Sequence, residues 1–164
     1  MRPDRSSKKY SAGNSSRDNR SRRRGENRSP QQEWRPQTDR VRTLVFQVLL
    51  AVETKDAYAN LLLPPRLTRA HIGGRDAGFA TELTYGTLRS QGYYDWIIDE
   101  CSTRPVAALE KEVLIILRMG LHQLLNMRVA THAAVSESVN LTKQEANEGA
   151  AGLVNGCLLY TSPS

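Results

Sequence analysis

Two cysteines, three histidines and a scatter of arginines are the residues of this chain whose types and spacing could do chemistry. Cys101 stands between Glu100 and Ser102 at the end of an apolar stretch. Neighbouring carboxylates oppose a thiolate and no histidine is close in sequence, so it reads as a small buried apolar residue rather than a nucleophile. With Cys157 the chain has two thiols, well short of a disulfide framework. His71, His122 and His132 show no ligand spacing with one another or with a cysteine, and no metal site is expected. His122 lies near the apolar surface of a long helical pattern and is expected packed or partly exposed, while His132 shapes a helix start. The arginines remain. Arg20, Arg22, Arg23, Arg24 and Arg28 run through the first forty residues, followed by Arg40 and Arg42. Their fixed donor forks suit phosphate, which makes them candidate nucleic-acid contacts. Arg89 joins that set, although a cation at a helix end is favoured by the dipole anyway, and Arg118 is expected to pair with Glu110 or Glu112. Trp34, Tyr93 and Tyr94 could stack on bases, whereas Trp96 reads as core.

The elements that must position these groups are helical. Val41, Leu44, Val45, Val48, Leu49 and Val52 recur at helical spacing behind Thr38 or Asp39 as N-cap, with Arg40, Arg42 and Gln47 off that stripe. Residues 60–67 form a short apolar element in which Pro64 and Pro65 begin or interrupt a helix, and Gly73 and Gly74 close the loop. A third helix is expected over residues 76–89, and Gly92 breaks it before a fourth that ends near Cys101. Residues 109–127 are apolar nearly all round, the mark of a central helix. Thr131 is expected to cap a sixth helix reaching about Ala146, and a seventh begins at Gly149 and stops almost at once. Nothing reads as a strand, so the periods alone predict an all-α bundle of six to seven helices.

Charge divides the chain at the same boundary. Residues 1–40 carry 12 Lys and Arg against 5 Asp and Glu, whereas residues 41–164 carry 11 against 12. The basicity therefore belongs to a leading arm, which has almost no apolar residues with which to offset ordering entropy and is expected to be disordered over residues 1–38. Arginine-rich arms of this kind commonly fold on RNA. No apolar run is long enough for a bilayer, and no apolar core follows the basic N-terminus as a secretory signal requires. Asp4, Asp18, Glu26 and Glu33 count against a transit peptide, so the expectation is a cytoplasmic protein.

The most specific string is Thr81-Glu82-Leu83-Thr84-Tyr85-Gly86-Thr87-Leu88-Arg89. Gly86 sits inside a helix, where it costs about 1 kcal/mol relative to alanine, so a packing or close-approach reason is expected for it. Other strings flank it in order: residues 56–63 and Arg75-Asp76-Ala77-Gly78-Phe79-Ala80 before, residues 117–125, 132–139 and 152–155 after. Together they resemble the NusB-like N-terminal domain of the RsmB/Sun family of 16S rRNA (cytosine-C5)-methyltransferases, from about Asp39 to Asn155.

That resemblance implies an all-α RNA-binding bundle over residues 39–156 that positions 16S rRNA for an S-adenosylmethionine-dependent catalytic domain. The cysteines and the Gly-rich donor loop such a domain needs would follow Asn155, so this stretch is expected to bind no cofactor and to have no catalytic residues or activity of its own. Where the family continues its last helix, Gly156 leads into residues 157–164, expected to be non-native read-through in which Cys157 has no role. The alternative is a standalone NusB-type antitermination factor that binds RNA with a ribosomal protein. A helical protein-interaction module with an incidental basic arm is a third reading.

Overall fold

The computed structural model describes residues 39–163, and every regular element among them is helical. Seven α-helices follow one another: α1 Arg40–Lys55, α2 Ala59–Arg69, α3 Gly74–Arg89, α4 Gln91–Cys101, α5 Lys111–Leu125, α6 Thr131–Glu145 and α7 Glu148–Thr161. A 3-10 turn, Val106–Ala108, links α4 to α5. The all-α bundle expected from the periods is the observed architecture; the expected disordered arm lies outside the described residues.

α5 is the axis. Every residue from Val113 to Leu124 is buried, and the helix packs against α1, α3, α4, α6 and α7. A helix apolar on all sides has no solvent face to present, so the others surround it. Two glycines let them come close. At Gly86 of α3 a Cβ would lie 2.1 Å from His122 Nε2, and at Gly120 of α5 it would lie 2.7 Å from Leu158 Cδ1 and 3.0 Å from Ser138 Oγ. The cost of glycine inside these helices is thus exchanged for side-chain packing across two helix crossings, the reason Gly86 required.

Several boundaries differ from the sequence expectation. Asp39 does cap α1, its Oδ1 accepting from the Val41 N–H at 2.8 Å. α2 runs through Pro64 and Pro65 instead of starting or stopping there. The carbonyls left without a helical N–H partner belong to Asn60 and Leu61, both exposed and so open to solvent. Gly74, at φ 58°, turns the chain into α3, which therefore starts two residues before Asp76. Gly92 does not break α3 from α4; Ser90 alone separates them and Gly92 lies within α4. Thr131 is the first residue of α6 and not its cap, its Oγ1 accepting instead from the Ser162 hydroxyl at 3.1 Å.

The largest correction is α7. It does not stop near Asn155 but continues to Thr161, with Val154, Cys157 and Leu158 buried. Those residues share one face with Ala151, and burial of that face against α5 and α6 outweighs the helix cost of Gly156. Residues expected to be foreign to the bundle are packed into it. Cys157 in particular forms a disulfide with Cys101, the two Cα atoms 5.3 Å apart, because the end of α4 lies against α7. Cys101 is therefore not the isolated apolar residue expected, and Cys157, expected to have no role, is its partner.

Candidate nucleic-acid interface

Arg20, Arg22, Arg23, Arg24, Arg28 and Trp34 lie outside the described residues. Of the others, Arg40 is exposed at the start of α1 and donates from Nη2 to the Ala70 carbonyl at 2.7 Å. Ala70 is the C-cap of α2, so the guanidinium meets the negative end of that helix dipole. The contact draws together the start of α1, the last turn of α2 and, through the short loop at His71 to Gly73, the start of α3. Arg40, Arg66, Arg69, His71 and Arg75 consequently share one end of the bundle. A groove of about 370 Å³ opens there between Arg40, Thr43, Leu44, Gln47, Ala70 and Gln144. Arg66, Arg69 and Arg75 were absent from the sequence-based set. Their signal was available: two arginines one turn apart at a helix end, and a third just past a double glycine.

Arg42 is a correction. It is buried, its Nε donating to Gln123 Oε1 at 2.7 Å, its Nη1 paired with Asp39 and its guanidinium 4.9 Å from the Phe79 ring centroid. The reason is geometric. At about 100° per residue Arg42 and Phe46 fall on the same flank of α1 beside Leu49, so the buried arc is wider than the stripe of branched residues. Arg42 ties α1 to α5 and is not presented to a ligand.

Arg89 is exposed at the last residue of α3 and pairs with Glu82 at 3.5 Å. Sixteen helical residues place it about 22 Å along α3 from the basic end, so the bundle does not gather Arg40 and Arg89 at one point. Arg118 is buried and pairs not with Glu110 or Glu112 but with Asp95, through Nε and Nη2 at 2.7 Å each, and with Glu53 at 3.6 Å. It is a bidentate clamp between α4 and α5.

Beside Arg89 the assignments of Tyr94 and Trp96 are reversed, while Tyr93 is exposed as a stacking residue must be. Tyr94 is fully buried, whereas Trp96 is 60% and Tyr93 56% exposed. α4 buries Tyr94, Ile97 and Ile98, and a residue two positions from Tyr94 must face the other way. Buried Tyr94 belongs to a polar chain. Asn126 Nδ2 donates to the Tyr94 oxygen at 2.6 Å, Tyr94 donates to His122 Nδ1 at 2.6 Å, and His122 Nε2 donates to Glu82 at 3.2 Å. A neutral imidazole with its proton on Nε2 satisfies every group in turn. Burial pushes His122 below its ordinary value, with Glu82 opposing, and burial raises the Tyr94 phenol, so both neutral forms are favoured. This chain joins α3, α4 and α5, a structural use of the histidine that sequence alone left open.

Residues 39–161 match the NusB family. The chain belongs to the NusB family. Within it, a protein from Mycobacterium tuberculosis that carries a methyltransferase name is 48% identical over 120 residues, 73% of this chain and 26% of that protein. The ribosomal RNA small subunit methyltransferase B of Klebsiella pneumoniae is 30% identical over 118 residues, 72% of this chain and 27% of its own length. The chain thus spans about a quarter of the length of the curated relatives it matches. Its NusB fold is homologous to the N-terminal region of the RsmB/Sun methyltransferases, as the ordered strings implied. Among solved structures, NusB of T. maritima superposes with a TM-score of 0.67 at 20% identity, covering 74% of this chain and 87% of that one. The antitermination factor NusB in a complex with NusE and double-stranded RNA gives 0.65 at 24%, covering 73% and 91%. Both show the fold. No described helix is long and apolar enough to cross a membrane.

Proposed function

We propose that this NusB-family bundle holds 16S rRNA for cytosine-C5 methylation by a separate, S-adenosylmethionine-dependent catalytic domain. What carries the reading is the match to relatives named for ribosomal RNA methylation, confined to about a quarter of their length and lying over this helical bundle. The structure supports it with an end of the bundle rich in arginine, at Arg40, Arg66, Arg69 and Arg75, adjoining the point where the arginine-rich arm joins α1. Arg20, Arg22, Arg23, Arg24 and Arg28 contact phosphates from the arm, and Arg40 and Arg89 from the bundle. Arg42 acts through position, by holding α1 on α5. This reading implies a cytoplasmic protein.

The second reading, an antitermination factor that binds RNA beside a ribosomal protein, is favoured by the solved neighbours, one of them a complex of NusB with NusE and RNA. Equilibrium binding of the 164-residue chain to a 16S rRNA fragment and to a transcription-leader RNA separates the two. The methylation reading expects preference for the rRNA fragment without any protein partner, and preference for the leader in the presence of a ribosomal protein overturns it. With about seven arginines on phosphates, log K against log salt should fall with a slope of roughly −5 to −6. A flat salt dependence removes the phosphate-binding arm.

A further inference from the structure

We propose that Tyr93 and Trp96 form a stacking platform for unpaired bases of a bound RNA, an inference that rests on the RNA-binding reading above. The two rings are 6.3 Å apart and within 13° of parallel, and both are more than half exposed. Packing has no use for them, because α4 already buries its opposite face through Tyr94, Ile97 and Ile98. Their direction is nonetheless set. Tyr93 lies against the buried Tyr94 ring at 5.9 Å, and Tyr94 is held by the chain to His122 and Asn126. Two large near-parallel rings, each more than half exposed on α4, meet the requirement for base stacking, which accepts any base but only when it is unpaired.

The RNA-binding reading and the stacking geometry name a nucleic acid as the occupant, and charge orients it. Arg89, one helical turn of sequence before Tyr93, has a side chain 66% exposed, and its ion pair with Glu82 is an exposed one that a phosphate can displace at little cost. Asp95 is engaged by Arg118, whereas Asp99, which accepts the Val106 N–H at 2.8 Å, keeps an exposed negative charge on the Glu100 side of the platform. Glu100, one turn beyond Trp96, is exposed, so the strand's phosphates run toward Arg89 and away from Glu100. Sequence-tolerant stacking beside a cation suits a loop or a single-stranded joint of an RNA and not the interior of a duplex.

The chain has two tryptophans, and Trp34→Phe leaves Trp96 as the sole indole. In that variant, Trp96 emission should be quenched on titration with an oligouridine or a hairpin with an unpaired loop, and should stay unchanged with a blunt duplex. W96A should weaken loop binding by about 5- to 150-fold with an unchanged melting temperature, and W96F, which keeps a ring, should retain most of the affinity. Loop RNA bound with unaltered emission and unaltered W96A affinity overturns the platform while leaving the RNA-binding reading intact. Equal quenching by duplex and loop, or quenching by a basic ribosomal protein and not by RNA, also overturns it. Failure of the chain to bind any of these RNAs defeats both proposals.

Discussion

Among the described glycines Gly86 leaves the least room for a Cβ, because His122 fills the space, and the fit is testable as a pair. A methyl group at Gly86 would stand 2.1 Å from His122 Nε2 and 2.2 Å from Cε1. The imidazole cannot easily move aside, since Tyr94 and Glu82 hold its two nitrogens. Gly86→Ala should therefore destabilise the bundle by about 1–3 kcal/mol through overpacking, despite alanine's better helix propensity. In a His122→Ala background the clash is gone, and the same substitution should stabilise by about 1 kcal/mol. Urea melts of the four proteins give the comparison; equal effects in both backgrounds would mean that Gly86 is unrelated to the histidine. The string around Gly86 was recognisable in the sequence, and a reason for the glycine was required by its cost. That the reason is an imidazole on a different helix could not be read, because side-chain approach between α3 and α5 depends on how those helices cross.

On the scale of helices, period was a good guide to existence and a weaker one to faces and ends. The all-round apolar pattern of α5 is its burial, and the α1 stripe faces the core. Arg42 and Trp96 were assigned to the wrong faces by residue type, although counting from Phe46 and Tyr94 would have placed both. α7 was cut short by weighting Gly156 above the apolar spacing of Val154, Cys157 and Leu158. A helix of 14 residues is marginal alone, and packing decides it. Leu158 is fully buried and its methyls touch the space left by Gly120. Leu158→Ala should cost about 2–5 kcal/mol, whereas Leu159→Ala, half exposed on the next position, should stay within about 0.5 kcal/mol. Equal, small effects from the two in thermal melts would show that the end of α7 is frayed rather than docked.

Across the whole molecule the basic arm and the bundle divide the work. Residues 1–40 hold 12 of the 23 Lys and Arg but few of the apolar residues, so deleting residues 1–37 should leave the helical circular dichroism signal and the melting temperature nearly unchanged while weakening RNA binding strongly. A lost cooperative transition would make the arm part of the fold. Five of the bundle's own cations are engaged within it, Arg42 and Arg118 in buried pairs, Arg40 at the end of α2, Arg89 with Glu82 and Lys111 with Glu53, while Arg66, Arg69 and Arg75 stand at its basic end. On the proposed reading the arm, with 12 of the Lys and Arg, supplies much of the phosphate affinity.

Helical class, the central position of α5, the basic arm and the family resemblance were all determined by the sequence itself, because apolar period, net charge and ordered strings are local or additive properties of a chain. Tertiary structure alone decided that Arg118 pairs with Asp95, that His122 fills the space at Gly86, and that Arg66, Arg69 and Arg75 share an end of the bundle with Arg40. These depend on which helix covers which face. A side chain's chemistry becomes a function or a prop only when its neighbours from distant parts of the chain have taken, or left open, its donors and its surface.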